Sequence, residues 1–225
     1  MKNMSLFLLI FFCILLQCGC GTDVEPKQLT ISPDYAVAQD ISEMVEKAEI
    51  IAIGTFQEYQ FSYNAERDPK HHNEPSKNSY SETKVYSFSI EQLLKGDVRE
   101  PSILVSIPFS KELTGLKDEQ GNELRFRIPN TAHVQPTLFK KYILFLRKNE
   151  RTGMYQAPFT PYMIEIKHDN KVVLQKPPSE TVSTFRSTNY NYQIRVEGIH
   201  LKKDEISGKD LSALIHQINN EQNAE

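Results

Sequence analysis

The side chains with the clearest capacity for chemistry are six histidines: His71, His72, His133, His168, His200 and His216. Neutral imidazoles grouped with carboxylates are the usual protein ligands of zinc and the usual machinery of metal-assisted hydrolysis. Only His71 and His72 are neighbours, with Asp68 and Glu74 on either side. Adjacent side chains of an extended segment point to opposite faces, whereas two histidines meet one metal most simply from positions i and i+4 of a helix. No HExxH and no cysteine–histidine spacing occurs, so a metal-assisted hydrolase at His71 and His72 would need carboxylates from remote segments. A solvated loop is the simpler account of the pair. Other catalytic signatures fail as well: there is no G-x-S-x-G elbow and no glycine-rich phosphate loop, in a chain with nine glycines. The run from Asp118 to Glu123 lacks the ligand spacing of a calcium loop and reads as a hairpin tip. The expectation is a non-enzymatic protein without cofactor or metal.

The cysteines point to a different chemistry. Cys13, Cys18 and Cys20 are the whole set, which leaves the remainder of the chain without disulfide, thiolate ligand or thiol nucleophile. Lys2 precedes an unbroken apolar run from Leu6 to Leu16, which ends at Gln17-Cys18-Gly19-Cys20-Gly21. As a helix this run covers only about 16 Å, roughly half of a bilayer's hydrocarbon core, so it reads as a signal peptide and not as a membrane span. Its exit resembles a lipobox, the signal peptidase II site of bacterial lipoproteins, at which a cysteine becomes the acylated first residue. The resemblance implies lipid attachment at Cys20, preceded by the small Gly19, or alternatively at Cys18, which has Leu15 at the favoured upstream position. Either choice implies a palmitate-type anchor at the extracytoplasmic face of the cell membrane, and a diacylglycerol with two chains holds stably. The chain then divides into a signal peptide over 1–19, a polar tether over 20–32, a single β-rich domain over 33–219 and a tail over 220–225.

Charge narrows the partners. A formal net charge of -3 offers no basic surplus for nucleic acid, which leaves the membrane, through the lipid, and an envelope protein or glycan.

The elements that must position any site follow from periodicity. Ser32-Pro33 and the Asp40/Glu43 pair are helix-start signals, and Ile41, Met44, Val45 and Ala48 keep the helical stripe. From Glu49 the pattern turns β-branched, with Gly54 inside the run marking a bulge or a close backbone approach. Further strands are expected at Thr83 to Leu94, at Ile103, Val105 and Ile107, at Leu124, Phe126 and Ile128, and at Tyr142 to Leu146, the centre of the core. Met163 to Ile166 and Val172 to Leu174 flank His168-Asp169-Asn170 as a hairpin. A Ser/Thr-rich stretch leads to a last strand at Tyr192, Ile194 and Val196, and Ser207 with Asp210 opens a terminal helix through Leu211, Leu214, Ile215 and Ile218.

The order AEIIAIGTF (48–56), YSFSIEQLLKGD (86–97), SILVSIPFS (102–110) and KYILFLRK (141–148) resembles the OB-barrel core of netrin-like and tissue-inhibitor-like domains, and lipoproteins of spore-forming Gram-positive bacteria. The resemblance covers Ile41 to Lys148. It implies a mainly β, OB-like β-barrel with an N-terminal and a C-terminal helix. The disulfides of the eukaryotic members are absent, and Lys140-Lys141 stands where a glycine is usual. Tissue inhibitors chelate protease zinc through a free terminal cysteine, so an acylated cysteine rules out that mechanism here. In such a barrel the long segment from Ser62 to Thr83 joins the first two strands, a frequent ligand contact. Its length without apolar periodicity fits a binding loop, with Tyr63, His71, His72 and Tyr80 as candidate contacts.

Overall fold

The computed structural model describes residues 25–200 and 203–223; the segment expected to be a signal peptide and both candidate lipid-attachment residues, Cys18 and Cys20, lie outside the described residues. Among the described residues the fold is mainly β with two helices. In chain order the elements are β1 (Lys27–Ile31), α1 (Ile41–Lys47), β2 (Ile50–Asn64), β3 (Ser81–Lys95), β4 (Ser102–Lys117), β5 (Glu123–Pro129), β6 (Lys141–Lys148), β7 (Tyr155–Gln156), β8 (Met163–Ile166), β9 (Val172–Leu174), β10 (Glu180–Ser187), β11 (Tyr190–Glu197) and α2 (Leu211–Gln222).

Helix α1 opens where its cap is: the Asp40 carboxylate accepts from the Glu43 amide at 2.9 Å, and Ile41, Met44 and Val45 face the core. Ser32-Pro33 does not start it. Residues 36–38 are instead tied to Thr160, with Thr160 N donating to Ala36 O and Ala38 N to Thr160 O. A segment whose backbone groups are already paired elsewhere has no need of helical bonds.

Strands β2, β3, β4, β7 and β6 pair in that order, and β6 also pairs with β2 over Ile50 to Thr55, so the pairings return on themselves. β5 extends from β4, and β8 and β9 from β6. Strand β6 is the expected centre: Tyr142 through Leu146 are all buried, because β2 and β8 flank it and both faces are covered. Phe56 packs edge-on against Phe88, Tyr142 and Tyr86 with ring centroids 5.0, 5.6 and 6.0 Å away, anchoring this core.

A second apolar cluster forms where the three-stranded sheet β1–β11–β10 meets β5. It contains Phe126, Ile128, Tyr192, Ile194 and Val196, with Leu29 and Ile31 against them. Three sequence expectations are corrected here. The tether expected over 20–32 contains a strand, β1, paired in parallel with β11; the alternation of Leu29 and Ile31 is too short to signal a strand until β11 supplies a partner. The Ser/Thr-rich stretch is strand β10, whose Phe185 stacks on Phe126 at 4.3 Å. The tail expected from residue 220 is still helical through Gln222, whose Nε2 donates to Leu94 O at 3.2 Å.

The segment before α2 is fastened by Asp204. Burial raises its carboxyl, but the Lys176 ammonium at 2.7 Å, the Ser207 amide and hydroxyl and the Ile206 amide outweigh it and hold the pKa at about 2, below the ordinary 3.8. A depressed carboxylate contributes stability that is complete above the unfolded value and disappears as the pH falls through the folded one. Thermal stability is therefore expected to decline between about pH 4 and pH 2, and Asp204→Asn to flatten that decline while lowering the plateau. A variant with the parent's full acid slope would show that Asp204 is not responsible.

Candidate functional site

The long hairpin β2–β3 continues well past the point where β6 stops pairing with β2, and it carries the candidate loop at its tip. The loop is 65–80, shorter than the 62–83 expected, because Ser62, Tyr63 and Asn64 pair with Lys84, Thr83 and Glu82. It is cross-tied rather than loose. Asn64 Nδ2 donates to Ser76 O and Ser79 O at 3.0 and 2.9 Å, and its Oδ1 accepts from the Glu66 and Ser81 amides. Asp68 accepts from the Lys70 and His71 amides, which lower its pKa. Removing an amide that satisfies four backbone groups strands those groups. Asn64→Ala is expected to cost about 2 kcal/mol and to speed amide hydrogen exchange selectively over 65–80. Exchange unchanged across that segment would show that the loop is held by other means.

The four residues expected to line a site are not brought together. His71 and His72 are exposed on the loop, with Asp68 3.5 Å from His71 Nδ1. Tyr80 lies under the Arg127 guanidinium, 5.0 Å from ring centroid to Cζ, and its carbonyl accepts from Glu112 N. Among the described residues no group of three or more His, Cys, Asp or Glu side chains is arranged to hold a metal ion.

Of the four, Tyr63 borders a cleft that lies mostly on the sheet, at the base of the loop. The register places Tyr63 opposite Thr83, Thr83 opposite Pro108, and Ser106 opposite Gln156. With Asn130, Asn149 and Arg151 these residues enclose a cleft of about 280 Å³. Its amides are oriented by the scaffold. Asn130 Oδ1 accepts from the Tyr35 hydroxyl and the Ala132 amide; Asn149 Oδ1 accepts from the Arg151 and Thr152 amides, and its Nδ2 donates to Gln156 Oε1 at 2.9 Å. Among the described residues, Asn130 Nδ2, Gln156 Nε2 and the Arg151 guanidinium have no hydrogen-bond acceptor. The site therefore presents a surplus of N–H donors, one of them cationic, beside a tyrosine ring.

Two neighbouring features enlarge it. A smaller cavity of about 140 Å³, lined by Tyr35, Pro158, Phe159 and Tyr162, shares Pro108 and Ala157 with the cleft. Burial pushes the Tyr162 hydroxyl well above the usual phenol range, and it has no hydrogen-bond partner among the described residues. Towards the exposed side of β2, Phe61 lies 6.4 Å from Tyr63, and Tyr59 and Phe61 are half exposed. His133 stands at the margin: burial lowers its pKa, and its Nδ1 donates to Pro108 O at 2.8 Å, so it serves as a structural donor. No family model, curated protein or solved structure matches the chain.

Asn130, Asn149, Arg151 and Gln156 gave no signal in the sequence, because asparagine and glycine beside a charged residue, as in Asn149 to Gly153, are ordinary turn composition. The pairing of β7 with β6 and, in parallel, with β4 carries that turn to the cleft.

Proposed function

We propose that this chain is a lipid-anchored extracytoplasmic binding module of a bacterial-type cell envelope, built on an OB-like barrel, whose sheet cleft holds an envelope glycan or protein segment. The observation that carries the reading is the set of donors lining the cleft beside Tyr63: Asn130 and Gln156, whose amide oxygens are held by hydrogen bonds, and the exposed Arg151. Donors lining a cleft that has no carboxylate in its lining suit a ligand rich in uncharged or anionic oxygens, such as sugar hydroxyl and acetamido groups or peptide carbonyls. An aromatic ring at the rim offers its face to the apolar side of such a ligand. The closed order of pairings through β2, β3, β4, β7 and β6 supports the barrel, and the cleft lies on its β2–β3–β4 side. Among the described residues no helix is long and apolar enough to cross a membrane, so a membrane address rests on the cysteine.

Capture from detergent-solubilised envelopes by the full-length acylated protein tests this reading. Arg151→Ala with Gln156→Ala removes two of the donors and is expected to lower retention of the captured partner by about tenfold, the equivalent of one to two hydrogen bonds. Replacing His71 and His72 by alanine is expected to leave capture unchanged. The opposite pattern, insensitivity at Arg151 and Gln156 with loss at the histidines, would move the site to the loop tip.

A further inference from the structure

A third region of the surface combines features that the cleft does not use. Phe139 precedes β6 and is 74% exposed, the most exposed of the large hydrophobic side chains among the described residues. Its φ is +63°, a conformation that a bulky side chain seldom adopts. The backbone holds it there: Phe139 N donates to Phe56 O at 2.8 Å, and Lys140 N to Thr137 O. The ring is thus displayed by the fold, since a residue free to relax would leave that region and cover itself.

The surroundings of Phe139 are basic. A cavity of about 460 Å³ opens beside it, bordered by Lys140, Lys141, Lys167, His168 and a single acid, Glu165. Glu165 accepts from Lys140 Nζ at 2.9 Å and from Lys167 Nζ at 2.8 Å. The carboxylate is 8% exposed while the two lysines are 48% and 41% exposed, so one covered anion compensates two cations that face water. Lys141 adds a third, paired laterally with Glu91. An outward aromatic ring flanked by lysines is the composition that settles at a membrane interface: the ring enters the headgroup level and the ammonium groups reach the phosphates.

We propose that Phe139 with Lys140, Lys141 and Lys167 forms a membrane-docking site for anionic phospholipid headgroups. The choice of a membrane as occupant rests on the lipid-anchor reading; the site itself rests on these residues. One ring and three lysines bind a bilayer weakly in free solution, but a domain already tethered to that surface meets it at high effective concentration, where weak contacts suffice to set orientation. Docking fixes which face of the domain is turned away from the lipid.

The chain contains no tryptophan, so Phe139→Trp introduces a single tryptophan at the site, whose emission is excited apart from that of the ten tyrosines. The full-length acylated protein is reconstituted in phosphatidylcholine vesicles with or without phosphatidylglycerol, and tryptophan emission is read with lipids brominated near the headgroup. Val182→Trp, at another exposed position on β10, is the reference. The expected result is a blue shift and bromine quenching of Trp emission for Phe139→Trp in phosphatidylglycerol vesicles, loss of both on adding salt or Lys141→Gln, and neither change for Val182→Trp. Absence of quenching in anionic vesicles, or equal quenching with and without phosphatidylglycerol, overturns the proposal. Reversal by inorganic phosphate but not by chloride at equal ionic strength would assign the lysines to a free anion and overturn it too. Intact mass of the same sample reports the acyl group. A chain found without it fails the anchor reading, and the emission is then read with vesicles in excess to judge the docking site separately.

Discussion

Gly54→Val is expected to remove about 4 kcal/mol of stability or more, enough to leave much of a typical domain unfolded. Gly54 lies in β2 where that strand pairs on both sides, with Ile90 of β3 and Tyr142 of β6. A Cβ built there would lie 2.1 Å from Ser89 O and 2.8 Å from two carbons of the Phe88 ring. The carbonyl belongs to a strand and cannot swing aside, so relief would require β2 and β3 to separate where the register already shifts, between Ile53 and Gly54. Separation would also disturb Phe88 and its contact with Phe56. Urea unfolding of the full-length protein measures the loss, with Gly121→Asn as comparison. Gly121 has φ +86° in the β4–β5 hairpin, and a Cβ there meets nothing within 4 Å, so asparagine, which tolerates that region, is expected to change little. Equal midpoints for the two variants would mean that Gly54 does not mediate a close approach.

Cys20→Ala is expected to release the protein from membranes almost completely. A single acyl chain holds only marginally and two hold stably, so a cysteine that carries the diacylglycerol is close to an on–off determinant of membrane retention. No described helix provides a second means of crossing. The Phe139 site is too small to keep an untethered domain at the surface, so retention in the variant should fall to the level of weak, salt-sensitive association. Fractionation with intact-mass measurement reads both the location and the attachment point. If Cys20→Ala stays in the membrane with an acyl mass on Cys18, the attachment residue is Cys18. If the parent and Cys20→Ala both remain at the membrane without an acyl mass, the anchor reading fails.

The two results test different levels of organisation, and the sequence was legible to different depths at each. Local signals with a single physical cause were readable. The alternation at Ile103, Val105 and Ile107 and at Tyr192, Ile194 and Val196 marks strands because period-two burial has no other common source. Asp40 with Glu43 marks the start of α1 because a carboxylate there satisfies an otherwise orphaned amide. Gly54 inside a β-branched run marks a close approach because its side-chain volume is missing where neighbours need the space. The Ser32-Pro33 signal failed, since such a pair permits a helix without requiring one, and Thr160 took the backbone groups that followed.

Composition and order by themselves determined a mainly β domain with a helix near each end, a chain without thiol chemistry beyond its first twenty residues, and the candidate attachment cysteines. Tertiary structure alone decided the rest. Strand β1 exists because β11 pairs with it, and β10 because β11 and the Phe126 ring receive it. Tyr63, Asn130, Asn149 and Gln156 meet at one cleft although they are distributed over ninety-odd positions, from 63 to 156. Pairings between distant strands leave no local trace in residue type, because the hydrogen bonds that make them use the backbone, which is the same at every position.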